Sequence, residues 1–291
     1  MPDVPEIRFA SGHAARGIPF ELHNNHIYLR VGVNNSEPLS FILDTGASSL
    51  INRRRVESLG LKLRRGGRGY GVGENSIEAA SVGDVTLHLP GVSLARQSLA
   101  AIPLEGLQSS LGRPVDGILG YSFFRRLVVE IDYDSRIINL YSPMEYRHRG
   151  RGGRIPLIVD EDSGLIFARA QIKPLNRAPI NGLFEIDSGG GHALILNSPF
   201  VERHHLLTPA QRANPVSVGG VVGSSNAVEG VAESLRLGRA HVENVGTFFS
   251  LAREGMLASD EFDGNIGNDV LRRFKVILNY SRRLMILEPN Q

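Results

Sequence analysis

The chain contains no cysteine and no tryptophan. The first absence excludes disulfides, thiol nucleophiles, thiolate zinc sites and iron–sulfur clusters together. Lysine is nearly missing as well: Lys62, Lys173 and Lys275 are the only three, so the other 29 of 32 basic residues are scattered arginines. A formal net charge of +2 over 291 residues excludes a protein built around a polyanion. No apolar run approaches the roughly 18 residues of a membrane span. The opening Met1-Pro2-Asp3-Val4-Pro5-Glu6 has neither a basic n-region nor an apolar h-region. Two localisations stay open: cytoplasmic, or periplasmic or secreted with a signal peptide removed.

What is present is an ordinary globular composition, 42% hydrophobic and 21% charged, enough to bury a core. At roughly 100–200 residues per domain, the length suits two lobes. Short alternating or apolar runs at 27–33, 39–43, 85–89, 137–141 and 283–287 are bounded by Gly, Asn, Pro and Asp. Many strands at such spacing predict an all-β architecture. Helical signals are few and short, at 53–59, 121–127, 198–205 and 268–274, with Pro199 at a first-turn position.

The two halves read alike. Phe41-Ile42-Leu43-Asp44-Thr45-Gly46-Ala47 returns as Phe184-Glu185-Ile186-Asp187-Ser188-Gly189-Gly190, an offset of 143 (187 − 44). Asp116-Gly117-Ile118-Leu119-Gly120 returns as Asp263-Gly264-Asn265-Ile266-Gly267, an offset of 147 (267 − 120). Asp132-Tyr133 and Ile137-Ile138 return as Asn279-Tyr280 and Leu284-Met285 at the same offset. Hairpins at 19–31 and 156–170 also correspond. The predicted organisation is an N-terminal lobe, 1–149, with the Asp-Thr-Gly motif and a C-terminal lobe, 150–291, with the Asp-Ser-Gly motif. The Arg- and Gly-rich run 147–154 between them is read as a flexible linker rather than a nucleic-acid tract.

A single Asp-[Ser/Thr]-Gly is weak evidence and two in the same framework are strong. On these motifs the sequence resembles the aspartic peptidases over about residues 18–289. Asp-Thr-Gly-Ala followed by Ile-Leu-Gly looks more like retropepsins than pepsins, and the whole is most similar to bacterial retropepsin-like proteins with two fused lobes. The resemblance implies an acid-protease fold: two pseudo-symmetric β-rich lobes, a central cleft, and one catalytic aspartate from each lobe, Asp44 and Asp187. Two carboxylates sharing one proton can take a proton from water and donate one toward the carbonyl, so no cofactor and no metal is expected. Gly46 and Gly189 let backbone approach the carboxylates closely, and the Thr45 and Ser188 hydroxyls can brace one loop against the other.

The resemblance also implies flaps. Tyr70, Gly71 and Val72 lie in a glycine-rich run between the first Asp motif and Ile-Leu-Gly, and Gly220 and Val221 hold the equivalent place in the second half. Ala47 and Gly190 stand where pepsin-like relatives carry hydroxyls that favour the ionised pair. Their absence from both lobes predicts activity in mildly acidic conditions, roughly pH 4–6. Gly190-Gly191-His192 and Asn265-Ile266-Gly267 depart from the family pattern. His23 and His26, the His204-His205 pair, and Asp160-Glu161-Asp162 read as solvated surface rather than metal ligands. The expected activity is that of an aspartic endopeptidase acting on peptide or unfolded protein without a covalent intermediate. The expected chain is a monomer with no nucleic-acid partner, and the alternative is a weakly active or inactive peptide-binding protein of the same fold.

Overall fold

The structure, a computed structural model, describes residues 6–64, 66–70, 76–208, 211, 215–220 and 223–290. The first half runs β1 (Ile7–Phe9), β2 (Ala14–Pro19), β3 (Glu21–His23), β4 (His26–Val33), β5 (Leu39–Leu43), β6 (Leu50–Asn52), α1 (Arg53–Ser58), β7 (Arg68–Tyr70) and β8 (Ser76–Glu78). It continues with β9 (Ala80–Leu89), β10 (Val92–Ile102), α2 (Glu105–Leu111), β11 (Gly117–Leu119), α3 (Tyr121–Phe124), β12 (Val128–Asp132) and β13 (Ile137–Tyr141). The second half runs β14 (Gly153–Pro156), β15 (Ile158–Val159), β16 (Ile166–Pro174), β17 (Ile180–Ile186), β18 (Leu194–Leu196), α4 (Ser198–Arg203) and β19 (Val216–Gly219). It ends with β20 (Ser224–Leu237), β21 (Ala240–Ser250), β22 (Gly264–Ile266), α5 (Asn268–Leu271), β23 (Phe274–Asn279) and β24 (Leu284–Pro289).

Pairing closes each half into a six-stranded barrel. In the first, β4-β9-β10-β6-β11-β5 returns to β4; in the second, β16-β20-β21-β18-β22-β17 returns to β16. The ring orders match element for element, so the duplication in sequence is a duplication of topology. Closure leaves few open edges to pair with other chains. A six-stranded sheet, β14-β24-β23-β12-β13-β2, takes strands from both halves and joins them. At its centre β12 and β23 run antiparallel with Glu130 opposite Ile277, positions 147 residues apart (277 − 130), so an approximate two-fold axis passes between them.

The strands that lead to the two Asp motifs are buried on both faces, which is why they read as apolar runs rather than alternating ones. Phe41, Ile42 and Leu43 of β5 and Phe184, Glu185 and Ile186 of β17 are all buried. Asp116 and Asp263 have a bracing role: their carboxylates accept the Ser40 and Leu183 amides and face Arg55 of α1 and Arg203 of α4. The predicted strands at 39–43 and 137–141 are found at those bounds, and the four predicted helices are present but end sooner. The predicted 283–287 strand starts one residue later, because Arg283 closes a turn with φ near +49°. Helix α2 is marked by none of the sequence signals above.

Residues 147–154 differ from the expected flexible linker. A Cβ on Gly150 would lie 1.6 Å from Glu288 Oε1 and one on Gly152 2.4 Å from the Ile286 side chain. The glycines permit close packing along β24, and by Gly153 the chain is already strand β14. Its arginines point outward and are exposed.

Candidate active site

Parallel pairs β5/β11 and β17/β22 end at the same level, and each Asp motif turns out of the first strand of its pair. The two turns meet across the two-fold axis. Thr45 Oγ1 donates to the Ile186 carbonyl at 2.6 Å and accepts the Ser188 amide at 2.9 Å. Ser188 Oγ donates to the Leu43 carbonyl at 3.1 Å and accepts the Thr45 amide at 3.1 Å. Both hydroxyls are fully buried, and each makes one donated and one accepted bond to the opposite loop. Four reciprocal bonds therefore fix the spacing of the aspartates by tying the backbones that carry them.

Asp44 and Asp187 face each other at contact distance. A Cβ on Gly189 would lie 2.1 Å from Asp44 Cγ, and one on Gly46 3.0 Å from Asp187 Oδ1. Only glycine leaves room for the opposite carboxylate. Asp44 is 8% exposed, and burial, with the neighbouring Asp187 charge, pushes its carboxyl well above the ordinary range. It accepts one backbone donor, the Gly46 amide at 2.8 Å. Asp187 accepts three: the Gly189 amide at 2.8 Å, the Gly190 amide at 2.9 Å and Asn265 Nδ2 at 3.1 Å.

The carboxyls beside Ala47 and Gly190 thus have unequal numbers of donors. In place of a hydroxyl at 190, Asn265 Nδ2 reaches Asp187, which also keeps two backbone donors, so donors are scarcest around Asp44. The same network contains a residue that the sequence motifs do not single out. Glu185 is 2% exposed, and its Oε2 accepts Asn265 Nδ2 at 3.0 Å. Its Oε1 would sit 2.9 Å from a Cβ on Gly46. Burial first, then the Asp187 charge, pushes its carboxyl well above the ordinary range. Strand alternation was the available signal, since residues two apart on a strand share a face. With the Asn265 amide turned to two carboxyls, its Oδ1 must accept, so His192, 2.6 Å away, carries its proton on Nε2. Burial lowers the pKa of His192, and also that of His26, which is half-buried beside Gly191 rather than out on the solvated surface.

The strands β7 and β8 form a hairpin where the first flap was expected; Tyr70 ends β7, and Gly71 and Val72 lie outside the described residues. In the second half β19 and β20 pair, the Gly220 amide bonds the Gly223 carbonyl, and Val221 lies outside the described residues. A cavity of about 360 Å³ lies at the base of the first hairpin, lined by Ser48, Gly66, Ala79, Leu99, Tyr121 and Ser122. His23 bonds the Leu111 carbonyl, and Asp160 closes its own exposed turn by accepting from Asp162 and Ser163. Among the described residues no group of three or more His, Asp or Glu could hold a metal, and no helix is long and apolar enough to cross a membrane.

Among curated proteins none matches the sequence. Among solved structures the chain is similar in fold to an aspartic proteinase from Irpex lacteus, at a TM-score of 0.56 and 11% identity, covering 96% of this chain and 98% of that one. It is also similar to basic 7S globulin from soybean, at a TM-score of 0.55 and 9% identity, covering 95% of each chain. The aspartyl protease family matches residues 29–123, which include Asp44 and the first Ile-Leu-Gly. That match lies in the first half, and the aspartic proteinase fold extends across both halves.

Proposed function

We propose that the protein is an aspartic endopeptidase whose catalytic pair is Asp44 and Asp187. The observation that carries this reading is the reciprocal Thr45 and Ser188 bracing that holds two carboxyls at contact across the two-fold axis. Like charges at that separation do not both ionise readily, so the resting pair holds one proton. With three donors on Asp187 and one on Asp44, the proton resides on Asp44. Asp187 then takes a proton from a water between the carboxyls as that water adds to the peptide carbonyl. Asp44 donates to the carbonyl oxygen, giving a tetrahedral gem-diol; as the C–N bond breaks, the proton acquired by Asp187 passes to the leaving amine and a gem-diol hydroxyl returns its proton to Asp44. Protons balance, and no acyl-enzyme forms.

Extended peptide or unfolded protein is the substrate class, with the hairpins at β7–β8 and β19–β20 as the closing flaps and Tyr70 as a substrate contact. Because both carboxyls belong to one chain, a monomer suffices. The test is cleavage of an unfolded protein and a peptide library from low to neutral pH. Cutting should require both aspartates, and activity per molecule should stay constant on dilution. A folded protein that binds peptide but cuts none at any pH would be a binding protein of this fold, and loss of specific activity on dilution would require a partner chain.

A further inference from the structure

The Glu185, Asn265 and His192 network has no equivalent among the described residues of the first lobe. Glu185 and Asn265 sit in register on the parallel pair β17/β22, and the same register position on β5/β11 is held by Ile42 and Ile118. Ser49 takes the place of His192 (192 − 143), accepting the Gly120 amide and the Ser122 hydroxyl. A carboxyl and an amide thus replace two buried isoleucines beside the aspartate that accepts the most donors. A buried carboxyl costs free energy unless it is neutral or well hydrogen-bonded. Glu185 stands next to two more carboxyls, which makes the neutral form the stable one.

We propose, building on the Asp44 and Asp187 reading, that Glu185 is a positioning residue of the catalytic pair: a third carboxyl, joined to Asp187 through Asn265, that extends the pH range over which the pair holds one proton. Asn265 Nδ2 spends one N–H on each carboxylate, so Glu185 and Asp187 are fixed relative to each other. The groups facing Glu185 are Asp187 at the end of its own strand, Asp44 from the opposite loop, and the buried phenol of Tyr280 after β23. His192 reaches it through Asn265, and His26 faces Asp187 from β4. The direction of the effect follows from repulsion alone. Neutral Glu185 resembles glutamine, and ionised Glu185 adds a negative charge that makes the last proton on Asp44 harder to lose. Over any order of titration, Asp44 holds its proton to equal or higher pH with Glu185 present than with glutamine.

The experiment pairs two readouts on wild type, Glu185→Gln, and the double variant Glu185→Ile with Asn265→Ile, which rebuilds the apolar pair of the first lobe. Carbon-13 titration of the side-chain carboxyls needs no activity. One glutamate carbon should titrate above the ordinary range in wild type and vanish in Glu185→Gln, while the upper Asp44 step should fall by about one pH unit. In peptide cleavage the alkaline limb of the pH profile should fall by the same amount and the acid limb stay in place. The double variant should move the same limb even if Glu185→Gln folds poorly. All glutamate carbons titrating in the ordinary range, or an unmoved Asp44 step and alkaline limb in a folded variant, would overturn the proposal. A shifted Asp44 step in a protein that cuts nothing would leave the three-carboxyl network standing and sink the peptidase reading; cleavage with an unmoved limb would do the reverse.

Discussion

The N-terminal and C-terminal lobes share ring order, motif order and the loop bracing, yet they surround their aspartates with different chemistry. In the first lobe Ile42 and Ile118 are buried with Tyr28, Leu50 and Leu111 in an apolar cluster, and Asp44 keeps one backbone donor. In the second, Glu185 and Asn265 occupy the equivalent strand positions, and Asp187 keeps three donors. A two-fold scaffold brings the carboxyls together, and departures from the two-fold give them unequal numbers of donors. Repulsion alone lets two copies of one motif share a proton, and such an asymmetry gives the donor and acceptor parts fixed places.

The largest test of that comparison is to neutralise each aspartate. Asp44→Asn and Asp187→Asn should each lower cleavage at least about a thousandfold, and the double variant should be little worse than either single. Stability should separate them. Asp44 has a raised folded pKa, so the native state binds its proton more tightly than the unfolded chain. That contribution is complete below the unfolded value and is lost as pH rises through the folded one. Asp44→Asn should therefore raise Tm relative to wild type at neutral pH and have little effect near pH 3. Asp187→Asn turns an amide toward Asn265 Nδ2 and should lower Tm at both. Equal Tm changes across pH would mean the lobes are electrostatically alike.

The glycines give a second contrast. Gly189→Ala drives a methyl into Asp44 at 2.1 Å, whereas Gly46→Ala meets Glu185 and Asp187 oxygens at 2.9 and 3.0 Å. Cleavage should fall about a hundredfold or more for the first and clearly less for the second, since a displacement of about 1 Å at a reacting group has that scale of effect. Steady-state kinetics on the two folded variants decides it, and equal losses would show that the close approach is the same from both sides.

The bracing hydroxyls should be nearly interchangeable. Thr45→Val and Ser188→Ala each remove two buried hydrogen bonds and strand an amide and a carbonyl, at about 1–3 kcal/mol for each stranded group. Denaturant unfolding should give similar values, and a large difference would place the bracing mainly in one lobe. The smallest expected effect is at the strand braces. Asp116→Asn loses an Arg55 contact at 2.7 Å and Asp263→Asn an Arg203 contact at 3.4 Å, so the first should cost about 1 kcal/mol and the second less.

Particular residues show where sequence reading stops. Asp44 and Asp187 were legible because a turn motif at the end of a buried run, repeated at a fixed offset, is seldom turn chemistry alone. Asn265 was visible as a polar residue in an apolar slot, but its partners on β17 depend on strand register. Glu185 was hidden because one carboxyl inside an apolar run reads as a solvent-facing strand position until both faces of β17 are known to be covered. The glycines at 150 and 152 pointed to a loose linker, and packing against β24 gave them the opposite use.

The sequence by itself determined the duplication, the all-β class and the two carboxylates, because local patterns repeated in order carry that information without reference to distance. Only the tertiary structure decided the asymmetry of the pair. Three N–H groups converge on Asp187, a third carboxyl lies beside it, and one backbone amide serves Asp44. The glycine amides lie two or three residues from the aspartates they serve, but the Asn265 bonds join strands about 80 residues apart and the loop bracing joins residues about 140 apart, and such separations acquire a distance only when the barrels close and their loops meet.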